Sequence, residues 1–198
     1  MPRNGATDPN DPDPQPRSTE PFRLVPIGHV RRRPSSAADD SADIDTGADT
    51  DGYTDRGPAE LHIAHQYRDG LLHLQQFSHV MVLWWAQRHD NDTDRPELRV
   101  YPRPAPHHLM GVFATRSPAR PNPVAVTVCR LRSVDEATGI VHVDDLDAAD
   151  GTPIIDLKPY LPSNDRVRRA LIPEWFPAMP EWACEEAEPG KSEESAGR

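Results

Sequence analysis

Val80 to Trp85, VMVLWW, is a continuous apolar run of strand length bounded by polar residues. Such a run suits a β-strand buried on both faces, and it is far shorter than the roughly 18 residues of a membrane-crossing helix. On its N-terminal side, Tyr67, Leu71 and Leu74 recur at i, i+4 and i+7, one face of a short helix. Before them Glu60–Ala64 alternates like a short strand. Phe22–Val30, FRLVPIGHV, mixes β-branched and aromatic residues as a first strand, ended by the run from Arg31 to Pro34.

On the C-terminal side, residues 88–108 carry polar and proline-rich loop chemistry, with Leu98–Tyr101 as a short strand within it. Met110–Thr115, Val124–Leu131, Ile140–Val143 and Pro153–Leu157 follow, each short, β-prone and set off by turn signals. Many short strands with one or two short helices predict a mainly β fold, a twisted sheet or partly closed barrel. No βαβ alternation, GxGxxG or GxxxxGK[ST] occurs, so the fold is not a Rossmann one. An adenosyl cofactor would have to be held in some other way.

The 198 residues suit one domain, and 23 prolines with a mean hydropathy of -0.72 assign part of the chain to tail and loop. Residues 1–21 read as a disordered tail, 22–170 as the domain, interrupted by an acidic insert at 35–57, and 171–198 as an acidic tail. The net charge of -10 argues at first against nucleic acid. Its position weakens that argument. Asp39, Asp40, Asp43, Asp45, Asp49, Asp51 and Asp55 crowd the insert, and Glu181–Glu194 load the tail, whereas most arginines fall in the segments that read as folded. Cys129 and Cys184 lie far apart, outside any metal-ligand spacing, so neither a disulfide framework nor a metal site is predicted. The N-terminus lacks the apolar segment of a secretory signal. A soluble, cytoplasmic protein with no membrane partner is the expectation.

Three blocks are specific when taken together: FSHVMVL at 77–83, GVFATRSPARPNPVAV at 111–126 and LDAADGTPIIDLKPYLP at 146–162, with PIGHV at 26–30 as a weaker fourth. They resemble the TsaA/TrmO family over roughly residues 22–167. The resemblance implies a β-rich methyltransferase that binds S-adenosylmethionine between loops, works commonly as a homodimer whose partner edges the site, and methylates an N6-modified adenosine beside the tRNA anticodon. Carried over by position, the cofactor contacts are Arg32, Arg33, Pro34, Ser78, His79, Met110, Arg120, Asp144, Asp145, Leu146 and Asp147. The substrate-facing residues are Arg116, Asn122, Lys158 and Tyr160, and Asp150 is the candidate proton acceptor.

The residues themselves agree in part. RSPARPNP alternates fixed-φ prolines with two guanidinium groups and an amide in a stiff loop. Arg116 and Arg120 offer planar forks for a carboxylate or a phosphate; alternatively, one of them pairs with Asp147 or Asp150 and pins the loop. His79, at the start of an apolar strand, reads as a packing residue or as part of a cofactor pocket. Asp147, Asp150 and Asp156 lie around Asp-Gly-Thr-Pro, a turn signal in any protein. Cys129 reads as core, Trp84 and Trp85 as core or dimer packing, and Arg31–Arg33 as a solvated loop or a phosphate contact.

Methyl transfer from a sulfonium is an in-line displacement, so a protein has chiefly to align the partners and exclude water. A carbamoyl-threonyl group on the adenine nitrogen would make its N–H more acidic and lessen the need for a strong base. Two features depart from the family. Val124-Ala125 stands where members commonly have Ile-Gly, and the C-terminal stretch WFPAMPEWACEEAEPGKSEESAGR reads as too short and acidic for the further domain of longer bacterial relatives. Three readings therefore stand: a tRNA methyltransferase, a methyltransferase of the same fold acting on a small metabolite, and a non-catalytic module that binds the cofactor or RNA.

Overall fold

The computed structural model describes residues 22–32 and 56–176. The expectations for the N-terminal tail, Arg33, Pro34, most of the acidic insert, most of the acidic C-terminal tail and Cys184 lie outside the described residues. The elements are β1 (Gly28–Arg31), β2 (Gly57–Ile63), β3 (His79–Trp85), β4 (Arg99–Val100), β5 (Met110–Gly111), β6 (Val124–Asp135), β7 (Ile140–Leu146), β8 (Pro153–Pro159) and one helical turn, α1 (Pro162–Asp165). Six strands close a barrel in the order β1-β2-β7-β6-β3-β8, every neighbouring pair antiparallel. β4 and β5 form a separate two-stranded arm.

Alternation fills the barrel. Val30, Leu61, Val80, Val82, Val141, Val143, Leu146 and Ile154 are sealed inside it, and Cys129 joins them as expected. Burying each such side chain is worth roughly 1.5–3 kcal/mol, which is what draws six short strands into closure. The seam between β1 and β8 is extended by Val30 N–H to Thr152 O and Gly151 N–H to Val30 O, both 2.9 Å. Closure is thus complete, which leaves the barrel no open edge.

Several local expectations are corrected. β3 is not buried on both faces: Val80, Val82 and Trp84 point inward, while Met81, Leu83 and Trp85 lie half-buried on the outside. Their cross-strand neighbours on β6 are Val128, Val126 and Val124, so the outer face of these two strands is apolar, and Val124 and Val126 are exposed among the described residues. The first strand begins only at Gly28; Phe22–Pro26 are exposed, and Pro26 has no N–H to give a ladder. The helix expected from Tyr67, Leu71 and Leu74 forms as two 3-10 turns, His65–Leu71 and Leu74–Gln76, broken by His73 at φ 67°. The spacing buried Leu71 and Leu74 as predicted, yet Gly70 and the left-handed His73 stop any α-helix from propagating. Met110–Thr115 pairs only at Met110–Gly111 and then turns at Val112–Ala114. Gly57, read as the end of the insert, opens β2.

The outer face of β1 and β2 carries a row of titratable groups. His29 lies opposite His62 with ring centroids 5.5 Å apart, and His62 Nε2 is 2.9 Å from Glu60 Oε2. Burial, then the charges of Arg31 and His62, push the His29 pKa below its ordinary value, against an opposing pull from Asp150. The folded protein therefore binds this proton less readily than the unfolded chain. Stability from this group is fully present above the ordinary histidine pKa of about 6.5 and declines as pH falls below it. Thermal melts at descending pH are expected to fall more steeply for the wild type than for His29→Gln; equal slopes would remove His29 from this role.

Candidate active site

The loop that follows β7 is built on a bulge. Asp145 adopts φ 62°, and between Val143 and Leu146 the register against β2 slips, two steps on β2 spanning three on β7. The extra residue leaves Asp144 outside, where it pairs with Arg132, and turns Leu146 into the core. Aspartate tolerates the left-handed region better than most residues.

Arg32, one residue past β1, holds the loop beyond. Its guanidinium donates from Nε to Ala148 O at 2.8 Å and from Nη2 to Leu146 O, while its backbone N–H donates to Asp150 Oδ1 at 3.0 Å. Burial pushes the Arg32 pKa below its ordinary value, with Asp147 the first charge opposing the shift. Asp150 is exposed, its other oxygen 3.6 Å from Arg31. Asp147 instead accepts from the Thr127 hydroxyl, and Thr127 in turn accepts from Trp84 Nε1 at 3.1 Å. A buried indole, a buried hydroxyl and a half-exposed carboxylate thus form one chain from the core to the rim. Thr127→Val keeps the shape and leaves the buried Trp84 N–H without its acceptor, so it is expected to destabilise by about 1–3 kcal/mol in thermal or urea unfolding, with Thr127→Ser restoring most of it. A neutral Thr127→Val would contradict the chain.

The RSPARPNP loop faces this rim. Together with Trp84, Gln87, His89, Ala149 and Thr152, its Pro118 lines an open cleft at the end of β3, where Gln87 Nε2 meets Thr152 Oγ1 at 3.5 Å. Arg120 does not pair with Asp147 or Asp150. Its guanidinium reaches the carbonyls of Thr115, Ser117 and Val112 at 3.4, 3.4 and 3.5 Å, the long end of the hydrogen-bond range. Such loosely held donors can turn to a carboxylate at little cost. Arg116 and Asn122 are exposed on the same loop, and Met110 lies half-buried on β5 opposite Val100.

A second group lies elsewhere. Ser78 Oγ and His79 Nδ1 are 2.9 Å apart at the start of β3, six residues and so roughly 20 Å along the strand from Trp85. The Tyr160 ring meets His79 edge-on at 6.4 Å, and Tyr160 N–H donates to His79 O at 3.1 Å. Lys158 is paired with Asp156 at 2.6 Å, a hydrogen bond and charge that hold its pKa above the ordinary value. Within one chain the residues singled out by sequence therefore fall in different places: Arg32, Leu146 and Asp147 at the loop after β7, Arg120 on the loop whose Pro118 lines the cleft, and Ser78, His79 and Tyr160 at the other end of β3.

The family of the tRNA-methyltransferase O N-terminal domain matches residues 49–166, more than half of the chain and all of β2 to β8. The chain belongs to the TrmO family. A probable S-adenosyl-L-methionine-binding protein of Halobacterium salinarum is 39% identical over 137 residues, 69% of this chain and 97% of that protein. The Escherichia coli tRNA (adenine(37)-N6)-methyltransferase is 39% identical over 107 residues, 52% of this chain and 45% of that one. A crystal structure of TrmO from Pseudomonas aeruginosa superposes with a TM-score of 0.51 at 23% identity, over 77% of this chain and 62% of that chain, a likeness of fold. The present chain thus spans nearly all of the archaeal relative and about half of the Escherichia coli enzyme.

Membership of the TrmO family does not by itself point to Thr127, Gln87 or Thr152, and Trp84, expected as core or dimer packing, is buried in the core while it also lines the cleft. One signal was there: Thr127 is the polar residue on the inward register of β6, between Ala125 and Cys129. A hydroxyl inside a barrel needs partners, and those partners mark the site. Among the described residues no group of histidine, cysteine or carboxylate side chains is arranged to hold a metal ion, and no helix is long and apolar enough to cross a membrane.

Proposed function

We propose that this chain is an S-adenosylmethionine-dependent methyltransferase that acts on the N6 of an adenosine beside the tRNA anticodon, with the threonylcarbamoylated base as its substrate. The observation that carries this reading is the Arg32-anchored loop, whose Asp147 is tied through Thr127 to Trp84, which lines the cleft together with Pro118 of the loop that carries Arg120. The donor set fits the cofactor. Asp147 suits ribose hydroxyls or an ammonium, the long-bonded Arg120 suits the methionine carboxylate, and Trp84, Pro118 and Ala149 offer apolar wall to a purine. When bound, the cofactor supplies an electrophilic methyl on a sulfonium. The residues align, exclude water and receive a proton, and Asp150→Asn tests Asp150 as the acceptor.

The two groups of residues support a homodimer. The apolar outer face of β3 and β6, with Val124 36% and Val126 42% exposed, runs between them. Pairing two such faces would cover Met81, Leu83 and Trp85 and let Ser78, His79 and Tyr160 of one copy edge the cleft of another. The Val124-Ala125 departure does not weigh against a family substrate, because Ala125 pairs with Trp84 and packs against the core. A cytoplasmic location follows from a tRNA substrate.

Incubating the full chain with methyl-labelled S-adenosylmethionine and tRNA carrying unmethylated threonylcarbamoyl-adenosine is expected to label the tRNA at that nucleoside. Cofactor binding with no label on tRNA, but label on a small acceptor, would move the assignment to a metabolite methyltransferase, the reading that the net charge of -10 favours. Cofactor binding with no acceptor labelled would leave a regulatory module.

A further inference from the structure

The segment from Leu98 to Val134 contains six arginines and two histidines and not one acidic residue, in a chain whose net charge is -10. Its first part is the β4–β5 arm. Arg99 pairs across the arm with Gly111, beside which a Cβ would meet nothing within 4 Å, so the arginine looks onto open space. Tyr101 and Phe113 are 63% and 77% exposed, and Arg99, Arg103 and Arg116 are exposed too. Large aromatics left in water among arginines, with Glu97 the nearest carboxylate in sequence and its Oε1 accepting from Arg99 N–H at 3.0 Å, are the chemistry of a surface that stacks bases and neutralises phosphates.

The arm is stiff enough to present them. Val112 N–H donates to Leu98 O at 3.0 Å, and two turns, Ala105 N–H to Pro102 O at 2.9 Å and His108 N–H to Ala105 O at 3.0 Å, close its tip. Pro102, Pro104 and Pro106 preset the backbone there, and the His108 ring is stacked on Trp175 at 4.4 Å. Arg120 links the arm to the cleft, since its guanidinium reaches the carbonyls of both Val112 and Thr115 while Pro118 lines the cleft itself.

We propose that the β4–β5 arm is an RNA-docking element, in which Tyr101 and Phe113 stack unpaired bases of an RNA loop and Arg99 and Arg103 bind its phosphates. The proposal rests on the RNA reading of the cleft and deepens it: the arm sets the loop so that one extruded base reaches the rim. Charge decides for RNA over an apolar protein partner, because the stretch from Arg99 to Arg120 carries four arginines and no carboxylate, a local basic surface that attracts a polyanion.

The test measures binding of a 17-nucleotide-scale anticodon stem-loop RNA to the full chain over a salt series, beside its affinity for S-adenosylmethionine. Tyr101→Ala and Phe113→Ala are each expected to weaken RNA binding about tenfold. Arg99→Ala is expected to reduce the slope of log affinity against log salt by roughly one. All three should leave cofactor affinity unchanged, which also establishes that they fold. RNA affinity and salt slope equal to wild type in all three variants would overturn the arm's role alone. So would a change in sedimentation without loss of RNA affinity, which would give the surface to a second copy of this chain. Wild-type protein that binds cofactor but no RNA at low salt would overturn both this inference and the RNA reading beneath it.

Discussion

Gly28→Ala is expected to destabilise the barrel by about 3 kcal/mol or more, lowering the melting temperature by roughly 10 °C or preventing accumulation of folded protein. A Cβ built there lies 2.2 Å from His62 O and 3.0 Å from Ile63 Cα, both backbone atoms that the β1–β2 ladder fixes. Gly28 also pairs with Ile154 on β8, so moving β1 away from β2 strains the closing seam. Gly70, around which a Cβ would meet nothing within 4 Å, is the control: Gly70→Ala should change stability by a few tenths of a kcal/mol. A melting temperature for Gly28→Ala within 2–3 °C of wild type would contradict the closeness of β1 and β2.

Arg32→Ala is expected to have the largest effect on the site. It removes the donors to the carbonyls of Leu146 and Ala148, the first a fully buried residue and the second nearly so, and each orphaned acceptor costs roughly 1–3 kcal/mol. The loop that carries Asp147 and Asp150 then loses both side-chain ties to Arg32 and keeps the Arg32 N–H to Asp150, the Arg31 pair and the seam hydrogen bonds. Stability should fall by about 2–4 kcal/mol, and S-adenosylmethionine affinity tenfold or more in calorimetric titration. Arg32→Lys should recover little, because an ammonium cannot reproduce the forked geometry. Full affinity in Arg32→Lys would reduce Arg32 to a simple positive charge.

The strands were legible because their residues alternate or are β-branched over lengths that nothing but a strand accommodates. β6 ran four residues beyond Leu131, through Arg132 and Ser133, since its outer half faces water and carries no apolar signal. β3 misled in the opposite sense: its outward Met81, Leu83 and Trp85 are as apolar as its inward residues, so alternation was invisible and burial on both faces was the natural inference. The first strand starts six residues later than its composition predicts, because FRLVP has strand composition while strand pairing depends on partners far along the chain.

The site was legible as motifs and not as geometry. RSPARPNP and DGTP read as stiff loop and turn from their own residues, and both form the rim of the cleft. What brings Arg32 to Leu146 and Ala148 is a separation of more than 110 residues bridged by barrel closure, which no local pattern encodes. Thr127 and Trp84 were hidden among core residues because one hydroxyl and one indole N–H make little mark in an apolar strand. The division of Ser78 and His79 from the cleft follows from strand length alone.

The most direct test of the central claim is nucleoside mass spectrometry of tRNA from cells with and without this gene. N6-methylated threonylcarbamoyl-adenosine is expected to disappear with the gene and to return with the wild-type chain but not with Arg120→Ala. An unchanged nucleoside profile in cells lacking the gene would contradict the tRNA methyltransferase account.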